Sequence, residues 1–415
     1  MSELLLRRSL RFYGKKGRIN MSQPRIALVH HWLTSPGGAE KVLYELHQMY
    51  PEAPIYTAAY IPEKFPEFAG ADIRTTYLDK IPFLKRKHQL FPLFMGTPFK
   101  TLDLSAYDLV ISSCAAEAKY VRTKDTTLHI CYCHTPVRYY WSDYDWFMAD
   151  SNRLPFGRLN WLARPVFSTL VTGLRRIDYA AAQGVTLFVA NSKHIQRRIR
   201  RYYHRRSTVI YPPIQTDRLS TMKVQKGDYY LIVGRQVASK RLDVAVKAFD
   251  ELQLPLKVAG AGEQVDRWRS QAGATIEFLG RVSDDERNRL FAGAKAFIFP
   301  PEEDFGITPL EALAAGTPVI AYNSGGAPEY VRDGVTGVLF DEQTPQSLAD
   351  AVRRFVTLTF DEAVLRQEAA RFDVPTFRRQ LQAYVDAGWR NFEDSGRSAA
   401  QLRAAEAVQA TEPSD

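Results

Sequence analysis

Cysteine is scarce in this 415-residue chain, with only Cys114, Cys131 and Cys133. So few thiols exclude a disulfide framework and fit a reducing, cytoplasmic setting. Two of them fall in CYCH, Cys131 to His134. No second cysteine pair accompanies them, and alternation on one face of the strand LHICYCH accounts for their spacing better than zinc does. No apolar run reaches 18 residues, so no membrane-spanning helix is expected. The opening MSELLLRRSLRF has too short an apolar core for a secretory leader, and Met21 is a second candidate start. No internal repeat of solenoid type is visible.

What is present is enough for two domains of ordinary size, with 45% hydrophobic and 12% aromatic residues to fill their cores. The net charge of +9 is concentrated in two places. Residues 1–20 carry six Lys/Arg against one Glu, and KHIQRRIRRYYHRR, residues 193–206, carries seven Lys/Arg and no acid. Together these exceed the net charge, so the remainder is slightly acidic. Such patches suit anionic lipid or nucleic acid, or are a solvated helix face.

Apolar, β-prone stretches recur at 25–33, 107–113, 128–133 and 185–190, separated by helical segments such as GAEKVLYELHQMY. A second series runs YYLIVG, LKVAG, IEFLG, AFIFP, PVIAY and GVLF. The pattern predicts an α/β protein of two doubly wound, Rossmann-like units facing across a cleft, with the hinge in VIYPPIQTDRL at 209–219. The expected division is a basic extension at 1–20, a first unit at 21–213 and a second unit at 214–375. A helix at 376–395 packs back on the first unit, and a small, polar, disordered tail occupies 396–415.

The most informative stretch is PPEEDFGITPLEALAAGTPVIA, Pro300 to Ala321. It reads as strand, loop, helix, strand, with Thr308 as N-cap, Pro309 as first helical residue, and Gly316 with Pro318 as the stop. Free N–H groups near Gly306, Ile307 and Thr308 suit an anion such as phosphate. Thr308 and Glu311 match a capping box, S/T-x-x-E. Glu303 is either a solvated loop carboxylate or a group placed where positive charge develops. A sugar leaving a diphosphate develops such charge.

Other candidates stand just beyond strands. Gly37 and Gly38 in HHWLTSPGGAEKV permit close backbone approach, or simply make a tight turn. Arg235 and Lys240 in GRQVASKR are surface charges or a diphosphate clamp. His134 ends the strand LHICYC. Asp143 and Asp145 form a D-x-D pair of the kind that holds a divalent cation, discounted here because aromatics surround it and cations are already supplied.

Taken together, these features resemble the retaining glycosyltransferases of family 4, over about residues 25–390. The motifs that carry the resemblance are Glu303-x7-Glu311, NSGGAPEYVRDGVTGVLF, GRQVASKR and FLGRVSDDE. HHWLTSPGGAEKV, CYCHTPVRYYWSDY and VIYPPI are similar to bacterial mannosyltransferases of surface polysaccharide biosynthesis. The resemblance implies the two-Rossmann GT-B fold, with the acceptor side at 21–213 and the nucleotide-sugar side at 214–375, and a metal-independent, retaining hexosyltransferase without a cofactor. Its donor would be GDP-mannose and its acceptor a lipid-linked saccharide at the inner face of the cytoplasmic membrane, with no nucleic-acid partner. It implies that Glu303 faces the donor sugar, Glu311 binds the ribose, and Arg235 and Lys240 grip the diphosphate. Gly38 and the amides of Gly306, Ile307 and Thr308 would complete that cradle, His134 would contact the sugar, and Val282 would meet the base through its backbone. The family usually has Gly where Asp304 stands. The alternatives are a UDP-sugar-dependent enzyme of the same fold, a nucleotide-sugar epimerase, and a basic membrane or nucleic-acid binder without activity.

Overall fold

The structure is a computed structural model that describes residues 24–81, 96–149 and 160–410. The basic extension 1–20, and residues 82–95 of the apolar, basic stretch IPFLKRKHQLFPLFMGTPF, lie outside the described residues.

Among the described residues, thirteen strands form two parallel sheets. In the first, β1 (Ile26–His30), β2 (Ile55–Thr57), β3 (Ile73–Thr75), β4 (Leu109–Cys114), β5 (Leu128–Cys133), β6 (Leu187–Ala190) and β7 (Thr208–Val209) lie in the order β3-β2-β1-β4-β5-β6-β7. The second holds β8 (Tyr230–Val233), β9 (Leu256–Ala259), β10 (Ile276–Gly280), β11 (Ala296–Phe299), β12 (Val319–Tyr322) and β13 (Gly337–Phe340), in the order β10-β9-β8-β11-β12-β13. Each order reverses once, between β1 and β4 and between β8 and β11. Loops diverge at such a reversal and leave a crevice beyond the strand ends.

Both faces of each sheet are covered, which is why the strands read as continuous apolar runs. In β1, Ala27 and Val29 enter one buried cluster and Leu28 the other. In β8, Tyr230 and Ile232 enter one and Leu231 the other.

Three helices bear on the site, α1 (Gly38–Met49), α2 (Lys193–Tyr203) and α3 (Ile307–Ala314), and two more, α4 (Val374–Asp394) and α5 (Ala399–Ala410), pack on the first sheet. Asp373 caps α4 by accepting the Thr376 N–H at 2.8 Å. The buried Phe377, Leu381, Val385, Trp389 and Phe392 join Leu28, Ile111 and Ile130 of the first sheet. The spacing of these five residues places them along one stripe, so the chain returns from the second sheet to the first through α4.

The expected disorder of the tail 396–415 does not hold for 399–410, which is helix α5. Ser398 accepts the Gln401 N–H at 3.3 Å, Asp125 accepts from the Ala400 N–H at 2.6 Å, and Leu402 packs on the core. A small, polar composition reads as disorder, but AAQLRAAEAVQA is rich in alanine, the best helix former, and it finds a cap.

Candidate active site

The chemistry-bearing residues gather at the two crevices. Beyond β8 stand Arg235 and Lys240, and beyond β11 runs the loop 300–306. Lys240 forms an ion pair with Glu303. Burial, followed by the charges of Arg138 and Arg235, pushes the Lys240 ammonium down to about 8. Arg235 is exposed, and its guanidinium makes no ion pair among the described residues. Three cations thus converge on the end of this sheet.

The loop carrying Glu303 is held by backbone packing. Gly306 has φ +89, and a Cβ there would lie 2.6 Å from the Tyr330 hydroxyl. The Gly326 N–H donates to the Glu303 carbonyl at 2.8 Å, and a Cβ on Gly325 would come within 2.2 Å of that same oxygen. The two glycines of NSGGAPEY therefore serve the loop of Glu303.

The expected capping box of Thr308 and Glu311 is not formed. Gly306 is the N-cap of α3, no side chain caps it, and the helix begins at Ile307. The left-handed glycine makes the turn two residues early, which places Thr308 and Pro309 inside the first turn, where proline costs no hydrogen bond. Glu311 is buried and instead accepts from Lys41 Nζ of α1 at 2.9 Å, across the cleft.

Gly38 opens α1 opposite α3. A Cβ on Gly38 would lie 2.8 Å from Ile307 Cδ1, so glycine allows the two helix starts to meet. Val282 lies beyond β10, the edge strand on the Arg235 side, just before Ser283, which accepts the Glu286 N–H at 3.2 Å. Among the described residues no hydrogen bond or ion pair joins Val282 to the other candidates.

His134, just beyond β5, is buried, and its Nε2 lies 2.8 Å from Ser113 Oγ. The same Oγ lies 3.1 Å from His30 Nδ1. His30 Nε2 faces Glu40 Oε1 at 3.5 Å, and His31 Nε2 lies 3.9 Å from that oxygen. Burial lowers His30 to about 3 and holds His134 well below the usual imidazole range. Burial raises Glu40, opposed by His31, by Arg235 and by the N–H groups of Gly37 and Glu40 itself.

His30, Ser113 and Glu40 were not singled out from the sequence. A histidine in a strand reads as a core residue, and the β1–β4 register that sets His30 beside Ser113 is a tertiary fact. The ligand atoms of His30, His31 and Glu40 lie within 4.8 Å of one another. This is the one trio of metal-ligand types so placed among the described residues. Asp143, paired with the Ser142 hydroxyl at 2.8 Å, belongs to no such group.

Charged contacts close the cleft. Asp304 accepts from Arg138 at 3.1 and 2.5 Å and from Arg198 of α2 at 2.8 Å. Arg198 also reaches Glu302 at 3.1 Å, and Glu329 accepts the Lys193 and His194 N–H groups at the start of α2 at 2.8 and 2.9 Å. Two of the seven basic residues in 193–206 therefore have structural work. Arg198 meets the second unit, and the buried Arg205 donates to the carbonyls of Ala182, Val185 and Thr186. A cavity of about 510 Å³ lies elsewhere, lined by Tyr120, Arg122, Lys124, Asp125 and Arg403 among others, none of them residues of the cleft.

Two crevices facing each other, with cations and a carboxylate between them, define a two-domain enzyme for an anionic, nucleotide-sized ligand. The family model "Glycosyltransferase Family 4" matches residues 36–218, and "Glycosyl transferases group 1" matches 213–372. The chain belongs to the family-4 glycosyltransferases and has the GT-B fold. It is 33% identical over 175 residues to a glycogen synthase of Thioalkalivibrio sulfidiphilus, covering 37% of this chain and 36% of that one. It is 33% identical over 166 residues to the GDP-mannose-dependent alpha-(1-6)-phosphatidylinositol monomannoside mannosyltransferase of Mycobacterium tuberculosis, covering 37% and 40%. It thus spans well under half the length of both. The crystal structure of Anabaena HepE in complex with UDP-glucose superposes with a TM-score of 0.62 at 19% identity, covering 88% of this chain and 100% of that one.

Proposed function

We propose that this glycosyltransferase is retaining and metal-independent, and that it moves mannose from GDP-mannose to a lipid-linked saccharide in cell-surface polysaccharide biosynthesis. The observation that carries the reading is the pairing of Glu303 with Lys240 beside the unpaired Arg235. A nucleotide diphosphate takes the place of the carboxylate on the cations, and Glu303 is freed to face the sugar. Arg235, Lys240 and the N–H groups at the starts of α1 and α3 stabilise the departing diphosphate. Glu303 stabilises the oxocarbenium-like carbon. The acceptor oxygen attacks from the face the phosphate leaves, and its proton passes to the departing phosphate oxygen. One C–O bond breaks, one forms, and configuration is retained. Glu311, released from Lys41, takes the ribose, and Val282 meets the base through its backbone.

Mannose is supported by HTPVRYYW and VIYPPI and by the GDP-mannose dependence of the mycobacterial relative. A UDP-sugar is the second reading, favoured by the UDP-glucose bound to HepE. Competition of GDP-mannose, UDP-glucose and UDP-N-acetylglucosamine for binding separates them, and preference for a UDP-sugar removes the mannose half. Transfer is expected to persist in excess EDTA. Loss that a divalent ion restores would assign a metal, with His30, His31 and Glu40 as its first candidate ligands.

A further inference from the structure

Lys41 stands in the cleft with no part in the mechanism beyond releasing Glu311. Its Nζ donates to Glu311 Oε1 at 2.9 Å, the one side-chain hydrogen bond of that carboxylate among the described residues. We propose that Lys41 is a donor-binding residue that exchanges partners: the ribose takes Glu311, and Lys41 Nζ passes to the diphosphate. The ribose site then favours a nucleoside that carries phosphate and resists one that does not. The inference deepens the proposed function and rests on it for the ribose at Glu311 and the phosphate at the helix starts.

The geometry comes from two helices that meet at their starts. Gly38 opens α1, and a Cβ on it would lie 2.8 Å from Cδ1 of Ile307, the first residue of α3. Lys41 stands at i+3 from Gly38 and Glu311 at i+4 from Ile307, spacings that share one helix face. Gly38 with Ile307 and Lys41 with Glu311 are therefore successive rungs between the same two faces, about 5 Å apart along the axes. Side chains on a helix lean toward its N-terminus. Lys41 thus leans toward the free N–H groups at the starts of α1 and α3, and its flexible stem lets Nζ cover one turn.

The two partners differ in what parting does to them. The Lys41 side chain is 49% exposed and that of Glu311 only 8%. The ammonium can pass into water, whereas a buried carboxylate stripped of its cation is strongly disfavoured. The ribose offers Glu311 neutral hydroxyl donors, weaker partners than an ammonium. A nucleoside alone therefore displaces Lys41 at a net loss. A diphosphate reverses the balance, because its charge takes the freed ammonium. Lys41 belongs to the first unit and Arg235 and Lys240 to the second, so the exchange sets cations of both units on one diphosphate.

The test compares ligands with and without phosphate by calorimetry on the full chain. Lys41→Met is expected to bind guanosine about tenfold tighter than the wild type does, and GDP about tenfold weaker. Uridine and UDP are run beside them, and the pair with the preferred base is read. Lys41→Arg keeps the charge and is expected to hold GDP near the wild-type affinity. In Glu311→Gln the lysine has no carboxylate to leave. Adding Lys41→Met there should no longer help the nucleoside, yet should still weaken the diphosphate. A merely structural role for Lys41 would move both ligands the same way. Tighter binding of both by Lys41→Met would show that Lys41 only blocks Glu311, and weaker binding of both, or no change, would equally overturn the exchange. Equal wild-type affinity for GDP and its 2′- and 3′-deoxy forms would instead sink the ribose assignment of Glu311. Weaker binding of pyrophosphate by Lys41→Met would still uphold the phosphate half.

Discussion

In the proposed mechanism the chemistry turns on Glu303, and its ion pair with Lys240 makes the two interdependent. Glu303→Ala is expected to lower kcat by a factor of about 10² with the fold intact, because it removes a charge that matters only as the sugar becomes positive. Near-normal turnover by a folded variant would take Glu303 out of the mechanism. Lys240 makes a pH signature available. Its ammonium, lowered to about 8, loses its proton as pH rises through that value. A diphosphate favours the charged form, so affinity for GDP is expected to fall from pH 7 to pH 9. Binding at pH 8 is expected to take up protons, measurable by calorimetry in two buffers of different ionisation enthalpy. Lys240→Arg, charged throughout that range, should remove the slope. A flat wild-type profile would show that Lys240 does not bear on the phosphate. Both residues were legible in the sequence because each stands in a short motif directly after a strand. Glu40 was not, since a glutamate in a first helical turn reads as ordinary dipole compensation.

At the scale of elements, the loop between β11 and α3 depends on a single left-handed glycine. Gly306→Ala forces φ +89 on an L-residue and drives a Cβ to 2.6 Å from the Tyr330 hydroxyl and 2.9 Å from Phe299 Cζ. The expected cost is about 1–3 kcal/mol, visible as a lower urea midpoint, together with weakened GDP binding as the N–H groups of α3 turn away. An unchanged midpoint would mean that the loop relaxes freely. The start of α3 shows where sequence patterns mislead. Thr308-Pro309-Leu310-Glu311 satisfies a capping box and a proline at the first helical position at once, yet both are overridden by Gly306 packing beneath Tyr330 and Phe299. Likewise the alanine-rich end of the chain became α5 because Asp125, some 270 residues earlier, offered its first N–H groups an acceptor.

For the molecule as a whole, the contacts of Asp304 make closure a matter of charge. Its carboxylate is shared by Arg138 and Arg198 of the other unit, and each such bond contributes about 1–3 kcal/mol where water is partly excluded. Asp304→Ala is expected to open the cleft, read as a larger radius of gyration in solution scattering and a raised KM for the donor. An unchanged radius would show that packing between α1 and α3 suffices. Of the remaining cations of 193–206, Lys193, Arg197, Arg200 and Arg201 are exposed and stand where they can meet an anionic surface. Among the described residues no helix is long and apolar enough to cross a membrane. We therefore expect flotation with anionic vesicles that weakens with salt, and absence of binding at low salt would refute a peripheral location.

The sequence by itself determined the alternation of strands and helices, the two parallel sheets and the position of Glu303, Arg235 and Lys240 beyond strand ends. Each of these rests on local periodicity, strand length and loop chemistry, which short stretches of chain carry whole. Only the tertiary structure decided what those residues touch. Lys41 with Glu311, Arg138 and Arg198 with Asp304, and His30 with Ser113 and His134 are separated by between 21 and 270 positions. Strand register and the approach of two sheets bring them together, and neither leaves a mark in the local pattern. The physical reason is that burial rewards any apolar side chain of the right size, whereas a polar contact depends on the placement of both partners.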